Sequence, residues 1–364
     1  MNLFWLLVVL LVLGGLQSLV FSKFNFKGIK YTRYFGKRAV YEGETVELIE
    51  QIVNRKILPV PWLRVESRIS PDLHFQTAQE EREISEDEQY HKSVFYLGPY
   101  SRVTRRHTIK CLRRGDYQLR TVEATAGDLI NFNHATRQMM VSAHLLVYPR
   151  LLTDDEIDLP SRKWQGDVLV KRWIMPDPFL VGGLREYRSG DPMRTVHWGA
   201  SARTGRLQVK TYDYTADPKL LIVLNVQMQE HQWAELMRYE QGTIEYGISL
   251  AATLLTRALE AGVEAGFACN GQLSVQPEEP VIIPPRRAST QGEQLLGALA
   301  ELQIRRARNF PTFLEELTAF QDVDMLILTA YDSELIQQGV NMLRMRGNSV
   351  TLNVIGGGRN EEAV

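Results

Sequence analysis

Charged and aromatic side chains are concentrated in residues 183–203 of this sequence. Arginines and carboxylates at such short spacing suit a catalytic or phosphate-binding site, or an internal charge network, because the planar guanidinium pairs with carboxylates and phosphates alike. For most of these residues we favour a network that clamps the segment to the domain that follows it. The candidate residues are Arg185, Glu186, Arg188, Asp191, Arg194 and Arg203.

Aromatic residues and a tight turn accompany these charges. Gly190 with Asp191 marks the turn, and Tyr187 and Trp198 are predicted to pack as apolar anchors whose polar tips form hydrogen bonds. Arginine and aromatic residues are also the usual hot spots of protein interfaces. The sequence therefore supports a second interpretation, in which part of this segment is a docking surface.

Catalytic motifs are missing from the sequence around these residues. His197 lies near Asp191 and could pass for a general base, but no nucleophile follows at a recognised spacing, and there is no Gly-x-Ser-x-Gly motif. The seven histidines form no metal-binding motif, and no phosphate-binding loop is present. We predict that the chain is not an enzyme and needs no cofactor. The alternative is a metal-assisted hydrolase that uses Asp191, His197 and Asp332.

A parallel α/β domain is predicted over residues 216–357. Residues 220–224 form a continuous apolar run, as expected of a strand buried on both faces. Helices are predicted over 239–261, 292–306 and 333–346, in alternation with further short strands. Such alternation indicates a doubly wound sheet, whose ligand crevice lies outside the carboxyl ends of its strands.

An antiparallel β-sandwich is predicted over residues 23–150. Short segments of alternating apolar and polar residues, broken by turn residues, are typical of that architecture, and residues 62–69 are one example. Residues 151–215 are assigned to a linker followed by the charged segment, and residues 358–364 to a flexible tail.

A transmembrane anchor is predicted at residues 1–22. Residues 3–21 carry no charge and are numerous enough to span a hydrocarbon core as a helix. A cleaved signal peptide fits less well, because no basic residue precedes the run and no small-x-small cleavage site follows it. Six Lys or Arg residues and no acidic one lie between residues 23 and 38. This asymmetry predicts a single-pass protein of the cell membrane with most of the chain in the cytoplasm.

Composition narrows the classes of partner and compartment. The formal net charge of −1 argues against nucleic acid as the main partner. Cys111 and Cys269 are the only cysteines; they form no metal-ligand spacing and suit a reducing compartment.

The charged segment resembles the signature of the domain-of-unknown-function 58 (DUF58) family, prokaryotic membrane-anchored proteins with a von Willebrand factor A-like domain. The resemblance implies an α/β domain that binds partners, a MoxR-type AAA+ ATPase as one such partner, and no established catalytic activity. The residues that carry it are Leu184, Arg185, Glu186, Tyr187, Gly190, Asp191, Arg194, Trp198, Ala202, Arg203 and Lys210.

One departure from the von Willebrand factor A pattern concerns its metal site. Such domains often bind a divalent cation through Asp-x-Ser-x-Ser after the first strand, whereas this chain has Asn225, Gln227 and Gln229 there. An amide keeps an oxygen ligand but lacks the carboxylate charge that offsets the dehydration of Mg²⁺. We expect no metal at these degenerate positions, with Asn225 and Gln227 satisfying the backbone of the loop instead.

Together these features predict a membrane-anchored, non-enzymatic adaptor or scaffold that presents its A-like domain to a MoxR-type ATPase or an assembly client. Two alternatives stay open. One is the metal-assisted hydrolase, and the other is a structural protein that links the membrane to envelope machinery through its sandwich.

Overall fold

The computed structural model describes residues 3–76, 82–84, 89–128, 134–157, 181–188, 191–212, 219–232 and 236–356. These residues form two compact units, Met1–Arg150 and Leu151–Val364. Both units are rich in strands, and the second also contains most of the helices, so the chain is of mixed α/β class.

The described residues of the first unit form one helix and ten strands in two sheets. The sheets have the strand orders β1-β3-β8-β5 and β2-β10-β9-β4-β7-β6. Their pairs are antiparallel except β2 with β10. The elements are α1 (Leu3–Phe24), β1 (Ile29–Phe35), β2 (Ala39–Tyr41), β3 (Thr45–Asn54), β4 (Val60–Ile69), β5 (Leu73–Phe75), β6 (Arg82–Ile84), β7 (Gln89–Leu97), β8 (Arg102–Cys111), β9 (Gly115–Gly127) and β10 (His134–Tyr148).

The core of the first unit lies between its two sheets. Burial alternates along β3, as period-two side-chain geometry requires of a strand with one covered face. Leu48 of β3 shares a cluster with Leu145 of β10, and Ile52 of β3 shares another with Phe95 of β7. Each cluster therefore draws side chains from both sheets, which pack face to face.

The predicted transmembrane anchor at residues 1–22 is wrong. In the part of the chain that the structure describes, no helix combines the length and the apolar character needed to cross a bilayer. The apolar run does form α1, but the sequence pattern does not show that the last turns of this helix pack against the first unit. The final turns carry buried Ser18 and Phe21, Asn25 donates a hydrogen bond to Ala126, and Lys56 donates to the carbonyl oxygens of Phe24 and Asn25. This end of the helix is thus fixed to the first unit.

The second unit is built around a five-stranded sheet with the order β16-β14-β13-β18-β19. Four of these strands are parallel, and β16 is antiparallel to β14. The remaining described strands of this unit form two two-stranded ribbons, β11–β12 and β15–β17. The elements are β11 (Val181–Glu186), α2 (Trp198–Thr204), β12 (Gln208–Tyr212), β13 (Lys219–Leu224), α3 (Arg238–Glu260), β14 (Glu264–Cys269), β15 (Gly271–Leu273), β16 (Val281–Arg286), α4 (Gln291–Glu301), β17 (Leu302–Arg306), α5 (Phe310–Glu316), β18 (Asp324–Thr329), α6 (Glu334–Met345) and β19 (Ser349–Val354).

Helices cover both faces of this sheet. One apolar cluster joins the strands to α3 and α4, and a second joins them to α5 and α6. Along β13, Ile222 lies in the first cluster, whereas Leu221 and Val223 lie in the second. This alternation arises because successive side chains of a strand point to opposite faces of its sheet. The continuous apolar run in the sequence therefore reflects a strand that is buried on both sides.

The start of the predicted linker also packs against the second unit. Leu152 and Ile157 lie in the apolar cluster that joins the sheet to α3 and α4. The backbone N–H of Leu152 donates a hydrogen bond to Thr253 Oγ1 of α3 at 2.8 Å. The first residues after Arg150 are therefore part of the packed structure of this unit.

One local prediction in this unit is wrong. The helix predicted to reach residue 306 ends at Glu301, because the chain then pairs with Gly271–Leu273 as β17. Pro284 and Pro285 lie in β16. That strand lies at the edge of the sheet, where a missing N–H is tolerated.

Candidate functional site

The charged segment folds as a ribbon with a short helix beside it. Strands β11 and β12 are antiparallel, with Leu184 opposite Lys210 and Glu186 opposite Gln208. On the other side of β12, Val196 forms a single bridge with Val209, and both are buried. The ribbon, the bridge and α2 together form what we call the signature ribbon, residues 181–212.

A bidentate ion pair fastens one end of the signature ribbon. Arg185 Nη1 and Nη2 donate to Asp191 Oδ2 and Oδ1 at 2.7 and 2.6 Å, and Arg188 N–H donates to Oδ2 at 2.8 Å. The hydrogen bond from Arg185, supported by the backbone donor, lowers the pKa of Asp191 to about 2. The contact joins two positions of the segment itself, so it closes the turn after β11.

The remaining signature residues divide between internal contacts of the ribbon and its exposed surface. Glu186 forms a solvent-exposed ion pair with Arg206 at 2.9 Å. The backbone N–H of Tyr187 donates a hydrogen bond to the carbonyl oxygen of Leu207. Trp198 was predicted to be a packed anchor, but 62% of it is exposed, because it opens α2 on the outside of the ribbon. Arg203 is also exposed. Gly190 lies outside the described residues, as does the side chain of Arg194.

The residues of the hydrolase alternative are engaged separately. His197 Nδ1 accepts a hydrogen bond from Ala200 N–H at 3.0 Å and so caps α2. Asp191 is held by Arg185, and Asp332 accepts from Gln337 Nε2 at 2.8 and 3.0 Å. Each of these three side chains is thus engaged in a hydrogen bond or ion pair with a residue close to it in the sequence.

We expect Asp191→Asn to loosen the signature ribbon, because the substitution removes the charge that Arg185 and Arg188 bind. Hydrogen exchange at the Tyr187 amide should become faster, while exchange in β13 stays unchanged. In the unaltered chain the pKa of Asp191 is lowered. The Arg185–Asp191 ion pair therefore stabilises the signature ribbon fully at pH values above the usual carboxyl pKa, near 4. That effect is lost as the pH falls toward 2. Glu186→Gln, at an exposed pair, is the matched control; equal exchange rates in both variants would contradict the role of the ion pair.

The predicted metal positions lie in a buried network of neutral side chains. Asn225 Oδ1 accepts from Gln227 N–H at 3.0 Å and from Asn270 Nδ2 at 3.2 Å, and Asn225 Nδ2 donates to Thr329 Oγ1 at 3.1 Å. Gln227 Oε1 accepts from Asn270 Nδ2 at 3.1 Å and from Phe310 N–H at 2.8 Å. These contacts, which we call the amide network, link the ends of β13, β14 and β18 to the start of α5.

The amide network does not fit a divalent cation. Its amide oxygens already accept N–H groups, and none of Asn225, Gln227, Asn270 and Thr329 carries the charge that a hard cation requires. Within the described ranges, no group of three or more His, Cys, Asp or Glu side chains could hold a metal. Gln229 contributes its backbone oxygen, 3.5 Å from Gln227 Nε2. The absence of a metal stays a prediction, which these contacts support.

A buried charged cluster in the first unit was missed by the sequence analysis. Arg33 Nε lies 3.3 Å from Glu50 Oε1, and His107 Nε2 lies 3.1 Å from Glu50 Oε2. Tyr31 and Ser93 donate to the same carboxylate at 2.9 and 3.1 Å. The available signal was that Glu50 stands on the apolar phase of β3, between the buried Leu48 and Ile52.

The carboxylate of this cluster is strongly stabilised in its charged form. Burial by itself would raise the pKa of Glu50, but the hydrogen bond with His107 and the charge of Arg33 outweigh it and lower the pKa to about 2. Burial, together with the nearby Glu50 charge, raises the pKa of Tyr31. The cluster therefore contains a buried ion pair surrounded by polar donors.

Comparisons with known proteins identify one domain. Residues 183–329 match the family model described as "Protein of unknown function DUF58". The match covers the signature ribbon from residue 183 onward and all of the amide network. A search of curated proteins gave no match.

Several solved structures show weak similarity. A non-cellulosomal cohesin from the archaeon Archaeoglobus fulgidus is 10% identical, with 32% of this chain and 91% of that chain covered and a TM-score of 0.23. The sporulation control protein Spo0M from Bacillus subtilis is 13% identical, with 32% and 49% covered and a TM-score of 0.19. A CARDB domain from Pyrococcus furiosus is 18% identical, with 33% and 97% covered and a TM-score of 0.19. TM-scores this low carry no argument about this chain.

Proposed function

We propose that this chain, whose residues 183–329 match the DUF58 family model, is a non-enzymatic adaptor that uses the signature ribbon to bind a partner protein. The observation that carries this proposal is the exposed Trp198 on a segment that is braced by its own charges. A large aromatic side chain held outward on a rigid element loses little conformational entropy when a partner covers it.

The charges of the signature ribbon favour an acidic partner surface. Residues 181–212 contain six Arg or Lys side chains and two carboxylates. Both carboxylates, Asp191 and Glu186, are paired within the ribbon. Leu184 and Leu207 add exposed apolar area to the same segment. An apolar contact surrounded by basic side chains suits a partner of opposite charge.

A MoxR-type AAA+ ATPase is the partner that we propose first, on the basis of the family resemblance. The contacts of the amide network support a non-enzymatic role, since they use the side chains at the carboxyl ends of β13 and β18 for internal hydrogen bonds. The hydrolase alternative is less well supported, because Asp191, His197 and Asp332 already have separate structural partners.

Trp198→Ala tests this proposal. We expect it to weaken binding of the MoxR-type ATPase encoded in the same genome at least about thirtyfold, as for a central aromatic hot spot. The melting temperature should not change, because the ring is exposed. Binding is measured by surface plasmon resonance with and without ATP. Met237→Ala, at an exposed apolar residue of the same unit, is the control. Full binding by the Trp198 variant, or none by the unaltered chain, would contradict the proposal.

A further inference from the structure

The side chain of His197 closes the N-terminal end of α2. Its ring nitrogen Nδ1 accepts a hydrogen bond from Ala200 N–H at 3.0 Å, and the same N–H lies 3.1 Å from the carbonyl oxygen of His197. The usual residues at such a cap are Asn, Asp, Ser and Thr, whose side-chain oxygen accepts the N–H. An imidazole nitrogen accepts only while it carries no proton. This cap therefore exists only when the ring is neutral.

The helix that His197 caps gains little from packing. It has seven residues, and Ser201 is the only one of them that is buried. A helix this short is marginal in water by itself, so the hydrogen bonds at its two ends strongly affect how well it forms. At the far end Gly205 N–H donates to the carbonyl oxygen of Ser201. Trp198 is the first residue of the helix, directly after the cap, and its position therefore depends on the cap.

The surroundings of His197 offer no carboxylate to a protonated ring. Among the described residues, the histidine–carboxylate contacts involve His107 and His144. The two acids of the signature ribbon, Asp191 and Glu186, are paired with arginines. The charged residues on and after the elements next to His197 are Arg185, Glu186 and Arg188 at β11, Lys210 on β12, and Arg203 and Arg206 at α2. Because the start of a helix carries a partial positive charge, a proton on the ring both removes the cap and adds a like charge there.

We propose that His197 is a pH switch for the partner surface of the signature ribbon. The neutral ring caps α2 and fixes Trp198, whereas the doubly protonated ring turns away from Ala200 N–H and releases the first turn of the helix. Imidazole side chains take up their second proton between pH 8 and 5. The cap is therefore present at the alkaline end of this range and is lost as the pH falls. This inference rests on the proposed function, because it concerns the regulation of the same surface.

The switch acts on binding through the conformation of α2. A partner that covers Trp198 requires the first turn of the helix to be formed, and its apparent affinity falls with the fraction of chains in which that turn is formed. The loss of a cap, together with a like charge at the start of a helix, is enough to change that fraction about fivefold. By linkage, partner binding favours the neutral ring and releases a proton from His197 wherever the ring is partly protonated.

The pH dependence of partner binding tests the inference. Between about pH 8 and pH 5, the dissociation constant for the MoxR-type ATPase should rise about fivefold more for the unaltered chain than for His197→Asn. Asparagine accepts the same N–H but does not titrate, and the use of one partner throughout cancels the partner's own titration. His231→Asn, at an exposed histidine of the same unit, is the matched control and should keep the full pH dependence. Equal ratios for the unaltered chain and for His197→Asn would overturn the inference.

A measurement without the partner separates this inference from the proposed function. In the full chain alone, nuclear magnetic resonance should show the Ala200 amide signal shifting with pH in step with the His197 ring. The protection of that amide from hydrogen exchange, corrected for the intrinsic rate, should fall about fivefold over the same range. Both changes should be absent from His197→Asn. An Ala200 amide that does not respond to pH would overturn the switch, whether or not the partner binds. A chain that shows the response but binds no ATPase at any pH would support the switch and contradict the proposed function.

Discussion

Replacing Glu50 with alanine is expected to lower the free energy of unfolding of the first unit by about 3–5 kcal/mol. The substitution leaves the buried Arg33 guanidinium without its carboxylate, 3.3 Å away in the unaltered chain, and removes the acceptor used by His107, Tyr31 and Ser93. The cost arises from the charge that stays behind rather than from the attraction that is lost. Denaturant titration, followed by hydrogen exchange of the β3 amides, measures the change.

Two further variants define the origin of this effect. Glu47→Ala, on the same strand, removes an exposed partner of Arg106 at 3.9 Å and should change stability by less than about 1 kcal/mol. Replacing Arg33 with Met together with Glu50→Leu should recover much of the lost stability, because neither charge is then left buried. An Arg33/Glu50 double variant no more stable than the Glu50 variant alone would show that the charge argument is wrong.

The same carboxylate predicts a pH dependence. The pKa of Glu50 is lowered to about 2 in the folded chain, so the unfolded chain binds a proton first as the pH falls. Its contribution to stability is complete above the ordinary glutamate pKa, near 4.3, and is lost as the pH falls toward 2. Glu50→Ala should flatten the stability of the first unit in that window. An unchanged acid profile would contradict this assignment.

Replacing Asn225 with aspartate is the second large expected effect, a loss of at least about 3 kcal/mol from the second unit near neutral pH. A carboxylate keeps the acceptor for Gln227 N–H and Asn270 Nδ2 but cannot donate to Thr329 Oγ1. It also places a full negative charge where the side chain is completely buried. The loss should shrink at acid pH, because a protonated carboxyl is neutral and can donate again.

This variant also tests whether the loop is a metal site that needs only its missing charge. We expect Mg²⁺ to leave the stability of the Asn225→Asp variant unchanged, because the neighbouring ligands remain amides engaged with N–H groups. Asn341→Asp, at an exposed position of α6, is the control and should have little effect with or without the cation. Recovery of stability by millimolar Mg²⁺ in the Asn225 variant alone would contradict our interpretation of the network.

Local patterns predicted those elements whose formation depends on neighbouring residues in the chain. The apolar run at 220–224 lies in β13, and the amphipathic pattern at 239–261 lies in α3 (Arg238–Glu260). Prediction failed where a distant segment decided the outcome. Residues 302–306 continue a helical pattern, yet they pair with Gly271–Leu273 as a strand. The exposure of Trp198 likewise depends on how α2 lies against β12, which local spacing does not encode.

What the sequence by itself determined was the mixed α/β class, the position of the charged segment and its resemblance to the DUF58 family, whose model matches residues 183–329. Arg185 and Asp191 are six residues apart, so a turn alone is enough to bring them together. The tertiary structure decided which polar residues are buried. Glu50 meets Arg33 and His107, the latter 57 positions away, only because the register of β1, β3 and β8 aligns them between two sheets. Local conformational preferences depend on residues that are close in the sequence, whereas the burial of a charge depends on strand pairing between distant segments. For that reason only the folded chain shows where its buried charges lie.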